Sequence, residues 1–248
     1  MRKKIFLAAA TLLILAMMTT SAFAGVQPDE ALRIDDLDEL KAAIASGEID
    51  GKNAEAMVTK KTLDQFTEEK NMLASEALAN LEISGEDLEN GRAERTVDLG
   101  DGCYIRVILT DEKDSSGEPD VTLAASTPSS NTLWKDYGDR KFTSTYERWI
   151  LETKYTMSLC NHYTLGSTGI KYRYGEREFK LNGEAIAGAG AIVTKNISAK
   201  TGETISMYCE FKISQSDVIG LYNNVKCLQI DKTNKRVKVN QSWSIKRV

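Results

Sequence analysis

Two hydrophobic periods divide the chain. Between residues 31 and 83, apolar side chains recur every three or four positions. In ALRIDDLDELKAAIASG, Ile34, Leu37, Leu40 and Ile44 form one stripe, and Gly47 stands where a helix would end. In AEAMVTKKTLDQFTEEKNMLASEALANLEISG the stripe is Leu63, Phe66, Lys70, Leu73, Ala77 and Leu81. Lys70 is its single polar break, and its aliphatic stem can lie along the apolar face. From about Thr96 the period becomes two. Cys103, Ile105, Val107 and Leu109 share one face of CYIRVIL, and Ile205, Met207, Cys209, Phe211 and Ile213 share one face of ISMYCEFKI.

Asp101-Gly102 and Asn182-Gly183 sit between such runs and signal tight hairpin turns, because both residue pairs tolerate positive φ. Thr233-Asn234 marks a further connection. The polar stretch from Asp111 to Asn131, with Pro119 and Pro128, reads as loop with a short strand at Val121–Ala124. AIAGAGAIV, residues 185–193, lacks both G-x-G-x-x-G spacing and a following helix, so it reads as a closely packed strand or a kink. Many strands with short connections predict an α+β protein: an N-terminal helical segment followed by an antiparallel β-sandwich.

The N-terminus changes the picture. Arg2, Lys3 and Lys4 precede an apolar run from Ile5 to Met18, and Ala22-Phe23-Ala24 supplies a small-x-small cleavage pattern. The run of about 14 residues is shorter than the roughly 20 that a spanning helix needs. Residues 1–24 are therefore expected to be a secretory signal, with 25–83 an acidic helical segment, 84–95 a linker and 96–248 the β-sandwich. The expected location is extracellular or cell-wall associated, with no membrane span in the mature protein.

Charge sharpens the division. Residues 25–101 hold 20 acidic and 8 basic side chains, whereas 102–248 hold 16 acidic and 21 basic. All three Trp and all nine Tyr lie in the second part. Nucleic acid is not indicated, because the mature chain is acidic and the positive excess of its second part is modest. The segment from Lys226 to Val248 carries seven basic residues and one acid. It would suit an anionic wall polymer or lipid headgroups, but the alternation in KRVKV favours an edge strand protected by charge.

Candidate chemistry centres on MSLCNHYTLG, which holds the single histidine, His162, two residues from Cys160. Residues 155–165 alternate as a strand with Met157, Leu159, Tyr163 and Leu165 facing in and Cys160 and His162 together on the polar face. Side chains two apart start about 6.6 Å apart, given a rise of about 3.3 Å per residue, so no catalytic pair is expected. Four cysteines separated by 57, 49 and 18 positions lack paired zinc-ligand spacing. No catalytic, cofactor-binding or metal-ligating residue is assigned. In an exported protein the cysteines are disulfide candidates, with Cys103–Cys209 and Cys160–Cys227 favoured by strand parity. H-E-x-x-H and G-x-S-x-G are absent. Candidate ligand-binding aromatics are Trp134, Trp149, Tyr172, Tyr174 and Trp243, with Tyr172 and Tyr174 expected on one face and Lys171 and Arg173 on the other.

The run YGDRKFTSTYERW … YTMSLCNHYTLGSTGIKYRYG, residues 137–175, resembles poorly characterised secreted β-rich proteins of Gram-positive bacteria. That resemblance implies an exported β-sandwich, with no activity and no functional residues attached. The sequence is thus read as a secreted, non-enzymatic protein binding a cell-wall polymer or glycan. One alternative is a bacteriocin- or toxin-like effector whose acidic helical segment is a removable cover, cut at NGRAER. Another is a carboxylate-based glycan hydrolase, which leaves no spacing signature.

Overall fold

The computed structural model describes residues 33–83, 86–88, 90–114, 132–215 and 217–248. The expected secretory signal, the strand expected at Val121–Ala124 with Pro119 and Pro128, and part of the expected linker lie outside the described residues. The chain divides into two compact units, one up to Phe66 and one from Thr67 onward. Among the described residues, no helix is long and apolar enough to cross a membrane.

In the first unit, helix α1 (Leu37–Ser46) starts where Asp36 Oδ1 accepts from the backbone N–H groups of Asp38 and Glu39, at 2.9 and 3.0 Å. It ends at Gly47 with φ +77°, as its position past the stripe predicts. A short helix α2 (Ala54–Met57) follows, and Leu40, Ile49, Ala54, Val58 and Phe66 are buried.

Helix α3 (Lys60–Ala79) runs from one unit into the other. Its buried side is Thr62, Phe66, Lys70, Asn71 and Ala74, whereas Leu73 is exposed. The expected stripe is therefore rotated, and its polar break is one of its most buried positions. Lys70 is 2 % exposed, with Nζ donating to the Leu99 carbonyl at 2.8 Å and to Asp101 Oδ2 at 2.7 Å.

The second unit is an antiparallel β-sandwich beginning with strands β1 (Arg92–Gly100) and β2 (Cys103–Lys113). After the undescribed segment come β3 (Thr132–Asp136), β4 (Gly138–Ile150), β5 (Thr153–Gly166) and β6 (Gly169–Leu181). Three short strands follow: β7 (Glu184–Ala185), β8 (Val193–Lys195) and β9 (Ser198–Ala199). The last three are β10 (Thr204–Lys212), β11 (Val218–Asp231) and β12 (Arg236–Arg247).

Among the described residues, one sheet has seven strands in the order β1-β2-β4-β5-β6-β7, with β9 also on β6, and the other has the order β3-β12-β11-β10-β8. The inner faces carry the alternating apolar sets: Cys103, Ile105, Val107 and Leu109 on β2, Met157, Leu159 and Tyr163 on β5, and Ile205, Met207, Cys209 and Phe211 on β10. Asn223 of β11 joins the sheets by donating from Nδ2 to the Leu159 carbonyl at 2.7 Å.

The two turn signals hold. Asp101-Gly102 and Asn182-Gly183 both have positive φ, as mirror-image hairpin turns require. The Gly-rich 185–193 segment lies close against β10: a Cβ on Gly188 would stand 2.6 Å from the Lys212 carbonyl oxygen. The edge-strand reading of KRVKV does not hold. Residues Arg236–Asn240 of β12 pair with β3 on one side and β11 on the other.

Candidate functional site

The central strand β5 sets the first candidate. Cys160 lies between Thr143 of β4 and Glu176 of β6, and His162 between Lys141 and Tyr174. All six face away from the inter-sheet core. The strand spacing that argues against a Cys–His contact is overcome by the side chains leaning together: Cys160 Sγ lies 3.3 Å from His162 Nε2. The other ring nitrogen, Nδ1, lies 2.9 Å from Asp114 Oδ2. A carboxylate there accepts an N–H from Nδ1 and turns Nε2 toward Cys160. Glu176 Oε2 stands 3.4 Å from the same Nε2.

A β-bulge assembles the rest. The register shifts between His162 and Tyr163, where β6 contributes one extra residue, Arg173. The bulge re-aims two neighbours. Tyr174 stacks on His162, with ring centroids 4.1 Å apart and planes 15° from parallel. Arg173 reaches the same side, its Nη1 2.9 Å from both Asp114 Oδ2 and Asp139 Oδ2. Tyr172, paired with the buried Tyr163, faces inward, beside the position where a Cβ on Gly175 would collide with Met207 Sδ. The expectation that Tyr172 and Tyr174 share a face is thus corrected, because one inserted residue breaks the alternation.

The electrostatics separate two chemistries. The hydrogen bond from His162 holds the Asp114 carboxyl below its ordinary value, with the Arg173 and Lys141 charges adding to the effect. Burial pushes the Cys160 thiol up, and the Glu176 and Asp114 carboxylates push it further; Thr143 and Lys141 pull the other way. A nucleophilic thiol needs the opposite shift. Three donors converging on one point instead suit cation ligation: the atoms offered by Cys160, His162 and Glu176 all lie within 4.8 Å of one another.

The disulfide candidates are corrected. Cys103, Cys160, Cys209 and Cys227 are all free and buried. Cys103 and Cys209 belong to different sheets, and Cys160 points to the outer side of β5 while Cys227 points into the core. Cys209 Sγ instead donates to the Gly190 carbonyl at 3.4 Å.

The aromatic candidates do not form one platform. Trp243 pairs with the buried Asn223 and faces inward, as Tyr172 does. Trp149 stacks on Tyr104 on the outer face of the seven-stranded sheet, at 5.8 Å and 8°. Trp134 lies on the outer face of the other sheet, with the Arg236 guanidinium 4.5 Å over its ring.

That second outer face carries what sequence reading missed. Tyr208 and Tyr222 stack there at 5.3 Å and 16°, and Lys246 Nζ lies 5.8 Å from the Tyr222 ring. Lys195, Lys212, Lys226, Lys238 and Lys246 project from this face, and none of them makes an ion pair among the described residues. Most bases on the opposite face are paired: Arg106 with Glu94 and Glu147, Lys141 with Glu112, Lys154 with Glu147, and Lys180 with Glu178, whereas the exposed Lys171 has no ion pair among the described residues. Strand parity alone would have gathered these lysines, had the order of strands been known.

The processing segment is also placed. Arg92 and Arg95 of NGRAER lie inside β1, paired with Thr110 and Val107. Glu68 of α3 is held by a bidentate pair to Arg247 at 3.0 Å, and Arg148 Nη1 donates to Asn71 Oδ1 at 2.6 Å.

No protein-family model, curated protein or solved structure matches the chain. Its chemistry has to be read from these two faces.

Proposed function

We propose that this protein is an exported, non-enzymatic β-sandwich that binds an anionic glycan polymer of the cell envelope through the outer face of its five-stranded sheet. The observation carrying this reading is the set of five lysines, Lys195, Lys212, Lys226, Lys238 and Lys246, that have no ion-pair partner among the described residues and surround the stacked Tyr208 and Tyr222. Unneutralised ammonium groups on one face raise the local positive potential and draw in polyanions. Flat aromatic faces beside them match the C–H faces of sugar rings. The opposite face carries a stacked pair too, Trp149 on Tyr104, but most of its bases are paired with carboxylates.

The test is co-sedimentation with insoluble cell walls that carry their anionic polymers, and with the same walls after those polymers are extracted. Binding should be lost on extraction and should weaken with salt, because Lys195, Lys212, Lys226 and Lys246 are exposed and screened. The triple variant Lys226→Glu/Lys238→Glu/Lys246→Glu should not sediment, whereas Lys154→Glu/Lys180→Glu should behave as wild type. Equal binding to extracted walls would reject the reading, as would equal affinity for duplex DNA.

A further inference from the structure

We propose that Cys160, His162 and Glu176 form a binding site for one divalent transition-metal ion of the zinc type, supported from behind by Asp114 and Arg173. This site lies on the opposite sheet from the basic face and does not depend on it.

Three observations carry the inference. Ligand atoms about 2.0–2.3 Å from a tetrahedral metal stand about 3.3–3.8 Å from each other. His162 Nε2 is already 3.3 Å from Cys160 Sγ and 3.4 Å from Glu176 Oε2. The donor set of thiol, imidazole and carboxylate belongs to the ligand types of zinc and its neighbours. Finally, Asp114 occupies Nδ1, as the carboxylate does in carboxylate–histidine–metal arrangements, fixing the ring so that Nε2 points at the ion. With Nδ1–H given to Asp114, the Nε2 lone pair faces a Glu176 oxygen. A cation between the two, metal ion or proton, would be held by both.

Binding balances simply. Cys160 releases its S–H proton to solvent and forms a metal–sulfur bond. His162 contributes the Nε2 lone pair and Glu176 a carboxylate oxygen already ionised. Thiolate and carboxylate together neutralise the 2+ charge. Arg173, bonded to Asp114 and Asp139, keeps the supporting carboxylate in place and leaves it unavailable as a ligand. Glu176 is 64 % exposed, so the fourth position opens to solvent.

The experiment is titration of the purified, reduced full chain with Co²⁺ and then Zn²⁺. Cobalt should give a thiolate-to-metal charge-transfer band and visible d–d bands, saturating at one equivalent, and zinc should abolish both. Cys160→Ser should lose the charge-transfer band although Cys103, Cys209 and Cys227 remain. Glu176→Gln, a change at an exposed side chain that keeps the fold, should weaken binding. Asp114→Asn should keep the band but lower affinity about 10–100-fold. A wild-type chain without the band would overturn the proposal. So would a Cys160→Ser protein that still shows it, or a Glu176→Gln protein that binds as wild type does. The alternative, an imidazolium shared between Cys160 and Glu176, corresponds to the first of these results.

Discussion

Lys70 and Asp101 form an ion pair in which one partner is sealed and the other is not. Lys70 Nζ lies 2.7 Å from Asp101 Oδ2, with the lysine side chain 2 % exposed and the aspartate 24 %. The lysine comes from a helix and the aspartate from the turn between the first two strands, so the pair ties helix to sheet within one unit. The two ends should respond differently to mutation. Asp101→Asn leaves a buried ammonium without its opposite charge, and breaking such a pair costs about 3 kcal/mol. Lys70→Met leaves a carboxylate that water reaches, so its cost is smaller. Urea unfolding of both variants checks this, and a larger loss for Lys70→Met would contradict it.

The hairpin joining β4 and β5 turns through Leu151 and Glu152, with φ +47° and +59°. Neither residue favours that region, and L-residues there cost roughly 1–2 kcal/mol each. Leu151→Asn/Glu152→Gly should therefore raise stability by about 1–2 kcal/mol without changing the strand register, read as a higher urea midpoint at constant m. A lower midpoint would show that the Leu151 side chain matters more than the backbone.

Burial pushes all four thiols above their ordinary value of 9.0. The fully buried Tyr146 and Tyr163 lie above 10.0 for the same reason. Unfolded, these groups lose protons at ordinary values, so above about pH 9 the unfolded chain binds fewer protons than the native one. Stability should be full below the ordinary thiol value and fall as pH rises through it, with a slope of up to about 1.4 kcal/mol per pH unit for each group. Urea midpoints at pH 8, 9 and 10 measure the slope. Thiol titration without reductant should find four reactive groups in denaturant and slow reaction in the native state. Fewer than four would restore a disulfide.

The sandwich was legible because alternation and turn chemistry are local. Cys103 to Leu109 and Ile205 to Phe211 carry their burial pattern in their own order, and Asp101-Gly102 announces its turn. The Leu151-Glu152 turn has no such residues, so only the completed hairpin reveals it. Parity correctly placed Cys160 and His162 on one face. It did not bring in Asp114, which lies 48 positions from His162, or Glu176 on the neighbouring strand, because strand pairing is non-local. One inserted residue, Arg173, then separates Tyr172 from Tyr174 and turns Tyr174 onto the histidine. The lysine face escaped for the same reason: its members come from four strands whose order in the sheet no single segment encodes.

The most direct test of the proposed function is residue-resolved NMR during titration with soluble fragments of anionic wall polymer. The account predicts that shifts concentrate at Lys195, Ser206, Tyr208, Tyr222, Lys226, Lys238 and Lys246, and that raising salt reverses them. Shifts confined to the Tyr104 and Trp149 face, or none at concentrations where walls retain the protein, would contradict it.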